Sequence, residues 1–344
     1  MKAIVKTERK YGATCLQDVP KPQVSPGHVL IKIKATAVCG SDLHAYEYIP
    51  GYEFIDVPVI LGHEYSGIVE AVGEGVKQFK VGDRVMGESN QYCGYCHSCI
   101  SGKTNICKNN RMTGLKIDGG MAEYICVPEK IVHKLPDNVS FAEAAAAQPC
   151  SVSFHGLFDK STVKPADKVI VFGPGIIGLM AAQGAKVLGA SHVFVVGTNA
   201  DAQSRLPLAA QMGFIAINCD QEDIKGVLER ELGCQEVDVA VECSGAIQAM
   251  KSCIAIVRKG GSITLLGVFA EPMEIFFSSL IRNEILLSTS YTSTYDNYEQ
   301  ALKLIASGQV NMKPLIKEYS FNNYLQAFND AIDKKVLKPV LILD

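Results

Sequence analysis

What the chain lacks narrows its class first. No stretch of its 344 residues is a long run of one charge sign, and the formal net charge is only -3. Nucleic-acid binding wants a concentrated basic face, so this balance argues against it. No apolar stretch reaches the ~18 residues of a membrane span. The opening "MKAIVKTERK" has no apolar centre of the kind a signal peptide needs, so a cytoplasmic location is expected. Internal repeats and low-complexity segments are missing too. Cysteine, by contrast, is plentiful, with 12 in all. In a reducing compartment, clustered cysteines are expected as metal ligands rather than disulfides.

The length suggests about two domains with ample core for each. Residues 1–150 read mainly as short strands broken by Gly and Pro, such as "HVLIKIKATAVCG", "EYSGIVEAVGEGV", "VGDRVMGE" and "GGMAEYICVP". They point to a small β-rich, barrel-like unit. From about residue 155 to 290 the pattern changes to alternating strands and helices. The apolar strands "KVIVFG", "HVFVVG", "VDVAVECSG" and "SITLLGV" are separated by helical patterns such as "GLMAAQGAKVLG". Alternation of this kind implies a parallel, doubly wound sheet, so the class is α/β. The tail reads as a helix, a polar linker, a second helix and a closing strand.

Two clusters carry metal chemistry. "CGYCHSCISGKTNIC" places Cys93, Cys96, Cys99 and Cys107 at C-x2-C-x2-C-x7-C. Short gaps aim successive thiolates at one centre, and the longer gap brings round the fourth corner of a tetrahedron. Four sulfurs with no open position make a structural zinc site, although an iron–sulfur cluster could use the same ligands. The second cluster is spread over "VCGSDLHAYEY", with Cys39, Ser41, Asp42 and His44, and "LGHEYSG", with His63 and Glu64. Thiolate, imidazole and carboxylate can hold a zinc and leave one position open. Such a zinc lowers the pKa of an alcohol. Ser41 and His44 suit a proton path outward, a hydroxyl near the metal and an imidazole near solvent.

A third motif is "VIVFGPGIIGLM", in which Gly173, Gly175 and Gly178 form G-x-G-x-x-G between a strand and a helix. The first glycine permits the tight turn, the second admits pyrophosphate and the third lets helix and strand pack closely. The acid that binds the adenosine ribose hydroxyls belongs about 20 residues further on. Here Gly197 stands there, followed by Thr198 and Asn199. Gly197 leaves room for a 2′-phosphate and Arg205 offers positive charge, so NADP is expected over NAD. Asp201 could still turn toward the ribose.

In this order the motifs "CGSDLH", "GHEYSG", "VGDRV", the four cysteines, "GGMAEY" and the glycine fingerprint resemble the zinc-dependent medium-chain alcohol dehydrogenases, in particular the polyol and threonine dehydrogenases. The resemblance spans nearly the whole chain. It implies a GroES-like catalytic domain from residues 1–154 and 291–344, and a Rossmann domain from residues 155–290. It also implies a catalytic zinc on Cys39, His63 and Glu64, a structural zinc on the four cysteines, and a relay through Ser41 and His44 with Asp42 behind it. Cofactor contacts are expected from Ile177, from the backbone around Leu266–Val268 and from Ser290–Tyr291. A small-molecule alcohol is the expected substrate, and a homodimer or homotetramer the expected assembly. Pairing would run through "ITLLGV" and "EIFFSSLIRNEILLSTS" at the sheet edge.

Two positions depart from the family pattern. Gln148 stands where relatives place an acid or a cysteine. Thr292 and Ser293 replace the Arg-Tyr pair of sorbitol dehydrogenases. The expected reaction is hydride transfer from a polyol or sugar-derived secondary alcohol to NAD(P). Threonine 3-dehydrogenation is the alternative enzyme reading, and a nucleotide-binding relative without catalysis is the alternative outside enzymes.

Overall fold

The apolar run "HVLIKIKATA" forms the long strand His28–Ala37, in which only His28, Lys32 and Lys34 keep partial exposure. In the computed structural model, which describes residues 1–343, this strand is central to a seven-stranded sheet. On one edge Glu64–Val72 pairs antiparallel with it and sets Glu64 opposite Ala37. On the other edge, Tyr124–Pro128 takes its first half and Lys338–Ile342 its second. The register therefore brings together the chain just before Cys39, the start of the Glu64 strand and the last strand. The sheet closes over Ile31, Ile33, Tyr65, Val69 and Phe328. This unit comprises Met1–Gln148 and the chain from Thr294 onward.

The second unit runs from Pro149 to Ser293. Its six parallel strands are β1 (Lys168–Phe172), β2 (His192–Gly197), β3 (Ile215–Asn218), β4 (Val237–Glu242), β5 (Val257–Leu265) and β6 (Leu286–Thr289). They lie in the order 3-2-1-4-5-6, the doubly wound arrangement of dinucleotide-binding folds. In that order the direction in which successive strands are added reverses between β1 and β4. Gly173 ends β1 with φ +94, and a Cβ there would meet Ser244, just past β4, at 3.0 Å. A Cβ on Gly178 would lie 1.9 Å from the Gly173 carbonyl oxygen. The fingerprint therefore sits at the switch point, and its third glycine lets the helix Ile176–Val187 start against the turn.

Three local readings change. Ile316–Ser320, which reads as a polar linker, is a strand parallel to Lys338–Ile342, because edge pairing overrides its polar composition. "EIFFSSLIRNEILLSTS" is not one extended stretch. Phe277–Arg282 coils into a helix, Glu284 takes φ +50, and only Leu286–Thr289 is strand. "ITLLGV" begins in β5, which is paired on both sides, so β6 alone is the open edge there.

One buried ion cluster fastens the first unit. His133 is 0 % exposed, with Nδ1 2.8 Å from Glu299 and Nε2 3.2 Å from Glu88. Both ring nitrogens face carboxylates, so the doubly protonated ring is favoured. Burial opposes the charge, but the hydrogen bonds and charges of Glu299 and Glu88 outweigh it and raise the His133 pKa above 6.5. A group with a raised folded-state pKa gives its full stabilisation below the unfolded value and loses it as pH rises through the folded one. His133→Gln leaves Glu88 buried and unpaired and should cost about 3 kcal/mol near pH 6. The difference from wild type should shrink toward pH 9 when denaturant midpoints are compared. A difference that stays constant with pH would show that the ring is not charged.

Candidate active site and nucleotide crevice

The four cysteines meet in one lobe. Cys96 lies 3.5 Å from Cys99 and 3.9 Å from Cys107, and Cys93 lies 4.0 Å from Cys99, measured between sulfurs. These are not disulfide distances. A zinc–sulfur bond of about 2.3 Å gives a tetrahedron edge of about 3.8 Å, which these sulfurs span. Such spacing suits one ion rather than a cluster of several irons. The electrostatics agree. Partial desolvation opposes ionisation at Cys93, yet N–H groups of Tyr95 and Cys96 bring its pKa down to about 6. Cys99 is pushed up to about 12 by burial and by the neighbouring sulfurs. A cation at their centre would offset the repulsion among sulfurs this close.

Cys39, His63 and Glu64 also converge, their ligand atoms lying within 4.8 Å of one another. Cys39 precedes the helix Gly40–Glu47, and Asp42 Oδ2 accepts its N–H at 2.9 Å. Asp42 Oδ1 accepts the Gly62 N–H at 3.2 Å and lies 3.7 Å from His63 Nδ1. One buried carboxylate thus ties both arms and orients the ring. His63 Nδ1 and both Glu64 oxygens are buried without hydrogen-bond partners, Oε2 lying instead in an ion pair with Lys338. Burial alone would lower the His63 pKa, but Asp42, Cys39 and Glu64 outweigh it and push it up to about 10. Such a surplus of anionic donors calls for a cation, and the mixture of sulfur, nitrogen and oxygen suits zinc.

Ser41 Oγ lies 3.4 Å from His63 Nε2. His44, one turn further along the helix, is exposed, with Nδ1 3.3 Å from the Tyr52 hydroxyl. Enough protein surrounds its ring for desolvation to lower its pKa, against the opposing charge of Glu47. Gln148 is buried, and its Nε2 donates to Ser89 Oγ at 3.3 Å. Ser89 is held in turn by the Tyr298 hydroxyl, which accepts its N–H at 3.1 Å. Nearby Cys150 is wholly buried, and that burial pushes its thiol far up, so it offers no thiolate.

In the second unit, Glu242 ends β4 as a fully buried carboxylate. It accepts N–H groups from Ser244 at 2.7 Å and from Gly245 at 3.0 Å, and so braces the turn beside the fingerprint. Ile177 accepts the Ser153 hydroxyl at its carbonyl, 2.9 Å away. Leu266 packs against Gly156, and Val268 is exposed. The Ser290 hydroxyl, past the end of β6, is buried without a hydrogen-bond partner.

The turn after β2 differs from its sequence reading. The space beside Gly197 is filled, since a Cβ there would meet Pro174 at 2.8 Å and the Asp201 carboxylate at 3.1 Å. Asp201 Oδ2 accepts the Thr198 N–H at 3.1 Å, and its Oδ1 pairs with Arg205 at 3.4 Å. Asp220 accepts the Asn199 N–H at 2.8 Å. An acid is present after all, four residues late and folded back.

Sequence reasoning missed Tyr52, Ser89, Tyr298, Asp220 and Lys338. None stands at a motif spacing. Lys338 alone left a faint signal, a cation at the head of the apolar run "KPVLIL".

Comparison with known proteins places this geometry. Residues 25–137 match the family described as alcohol dehydrogenase GroES-like domain, and residues 177–307 match zinc-binding dehydrogenase. The chain is 37 % identical to a sorbitol dehydrogenase of Halalkalibacterium halodurans, with 99 % of each chain covered. It is 36 % identical to an L-threonine 3-dehydrogenase of Photorhabdus laumondii, with 96 % of each covered. A solved zinc-binding dehydrogenase of Sinorhizobium meliloti, bound to NADP, superposes with a TM-score of 0.90 at 28 % identity over 99 % of each chain. Matched in order along one chain, over an antiparallel unit with converging metal donors and a parallel dinucleotide-type sheet, these families make the protein a member of the zinc-binding alcohol dehydrogenases.

Proposed function

We propose that the protein oxidises a secondary alcohol of the polyol or sugar-derived class, passing hydride to NAD. The convergence of Cys39, His63 and Glu64, with Glu64 Oε1 buried and facing neither a donor nor an ion-pair partner, carries this reading. The likeness to a sorbitol dehydrogenase supports the substrate class. In this reading Cys39, His63 and Glu64 hold the catalytic zinc, and Cys93, Cys96, Cys99 and Cys107 the structural one. Zinc, when bound, polarises the alcohol oxygen and lowers its pKa, while nicotinamide accepts the hydride.

The remaining work falls to the chain. Asp42 orients the His63 ring. Ser41, beside that ring, takes the substrate proton, and His44 passes it to solvent. Its lowered pKa leaves His44 a free base at neutral pH, able to receive the proton. Gln148, whose amide donates to Ser89, is the residue placed to hydrogen-bond a substrate hydroxyl. Gly173, Gly175, Ile177 and Gly178 receive the pyrophosphate, and Leu266, Val268 and Ser290 the nicotinamide end.

The choice of NAD rests on the turn after β2. A 2′-phosphate needs free donors. Here the Thr198 and Asn199 backbone N–H groups are already engaged by Asp201 and Asp220, and Arg205 is paired with Asp201 through one terminal nitrogen, which leaves its Nε as the unpartnered donor of the turn. The open β6 edge, with Phe276, Phe277, Ile281, Leu286 and Tyr291 exposed around it, supports a homo-oligomer built through this edge.

Metal, substrate and cofactor measurements test the reading. Cys39→Ser should reduce bound zinc from two ions per chain to one and lower kcat by about 10³-fold or more while the fold persists. Retained turnover would overturn the mechanism, and an assay panel of polyols, simple alcohols and threonine would overturn the substrate class if threonine led. For the cofactor, kcat/KM with NAD should exceed that with NADP by at least about tenfold, equivalent to about 1.4 kcal/mol. Asp220→Asn should narrow the ratio, and an outright preference for NADP would refute the reading of the turn.

A further inference from the structure

Lys338 is a buried lysine that none of these steps uses. It opens the strand Lys338–Ile342 and is 2 % exposed. Its Nζ donates to the Val38 carbonyl at 2.9 Å and forms an ion pair with Glu64 Oε2. Val38 precedes Cys39, so one ammonium joins two arms of the metal-donor cluster. A buried pair of this kind is a poor source of stability, since desolvation offsets most of what the attraction returns. Its geometry has a sharper effect. With Oε2 held by Lys338, Oε1 is the oxygen of Glu64 left to face a metal, and Oε1 is buried without any donor.

We infer that Lys338 is a positioning residue that limits Glu64 to one-oxygen ligation of the catalytic metal. The inference rests on the metal reading proposed above. A carboxylate can ligate through one oxygen or two. With water in the position that an open catalytic site keeps for substrate, a second oxygen would make the metal five-coordinate and crowd that position. The ammonium also withdraws charge from the carboxylate. The metal then receives less electron density and remains a stronger polariser of the alcohol oxygen.

The test compares Lys338→Met and Lys338→Arg with wild type, each with cobalt(II) exchanged into this site and zinc kept on the four cysteines. In Lys338→Met, Glu64 turns both oxygens to the metal. Extraction by dipicolinate should slow roughly tenfold, and the visible cobalt bands should weaken toward a five-coordinate spectrum. The kcat should fall with little change in KM. The Tm gap between metal-loaded and chelated protein should widen, because the apo form then buries an unpaired carboxylate. Lys338→Arg, which keeps the charge, should extract like wild type. Wild-type extraction and an unchanged cobalt spectrum in Lys338→Met would overturn the inference. Should Lys338→Met not fold, the wild-type cobalt spectrum decides: intense four-coordinate bands support one-oxygen ligation, and weak five-coordinate bands overturn it. Metal content of Cys39→Ser separates the two layers. If that variant keeps both metals, the metal reading falls and takes this inference with it. If it loses one while Lys338→Met matches wild type, only the role of Lys338 falls.

Discussion

Balancing buried negative charge is the constraint on which the rest of this molecule turns. Asp42 and Glu64 are fully buried, His63 nearly so, and Cys39 lies with them. Carboxylates and a thiolate cannot be held together away from water without positive partners. Lys338 supplies one, and the raised pKa of His63 records the demand still unmet. The backbone serves the same end. Register fixes Glu64 opposite Ala37, Asp42 ties the N–H groups of Cys39 and Gly62, and the last strand delivers the lysine.

The nucleotide unit meets a different constraint, which is close approach. Gly173 and Gly178 are required by neighbouring backbone, and Gly197 by Pro174 and Asp201. In each case a missing side chain lets two segments touch. Glu242 adds a second device, a carboxylate that gathers the N–H groups of its own turn and holds the end of β4 against the fingerprint. Polar groups near the crevice are thereby committed to the protein before a ligand arrives, which is what pre-organisation requires.

Much of this was legible in the sequence because it is local. The four-cysteine lobe, the glycine fingerprint and the alternation of β1, β4 and β5 with helices depend on spacing within a few tens of residues. The donor trio was legible because "CGSDLH" and "GHEYSG" each carry several of its residues. What stayed hidden depends on fold-back and distant pairing. Gly197 reads as an empty place for an acid, yet the short helical turn Asn199–Asp201 folds Asp201 into that place. Ile316–Ser320 reads as linker because its partner Lys338–Ile342 comes later in the chain and supplies the pairing. Lys338 and Glu64 share no motif, since only the sheet brings them together.

The first unit is discontinuous in the chain, with the whole nucleotide unit interposed between its two parts. Synthesis therefore delivers the parallel sheet complete while His28–Ala37 still lacks half of one edge. Domains commonly fold as units during synthesis. Here the segment inserted in the middle is free to fold ahead of the unit whose residues were made first. Cys39, His63 and Glu64 emerge early, but the cation that offsets Glu64 arrives with the strand Lys338–Ile342. The order of synthesis is thus written into the chain: the parallel sheet is complete before the strand that carries Lys338 to Glu64.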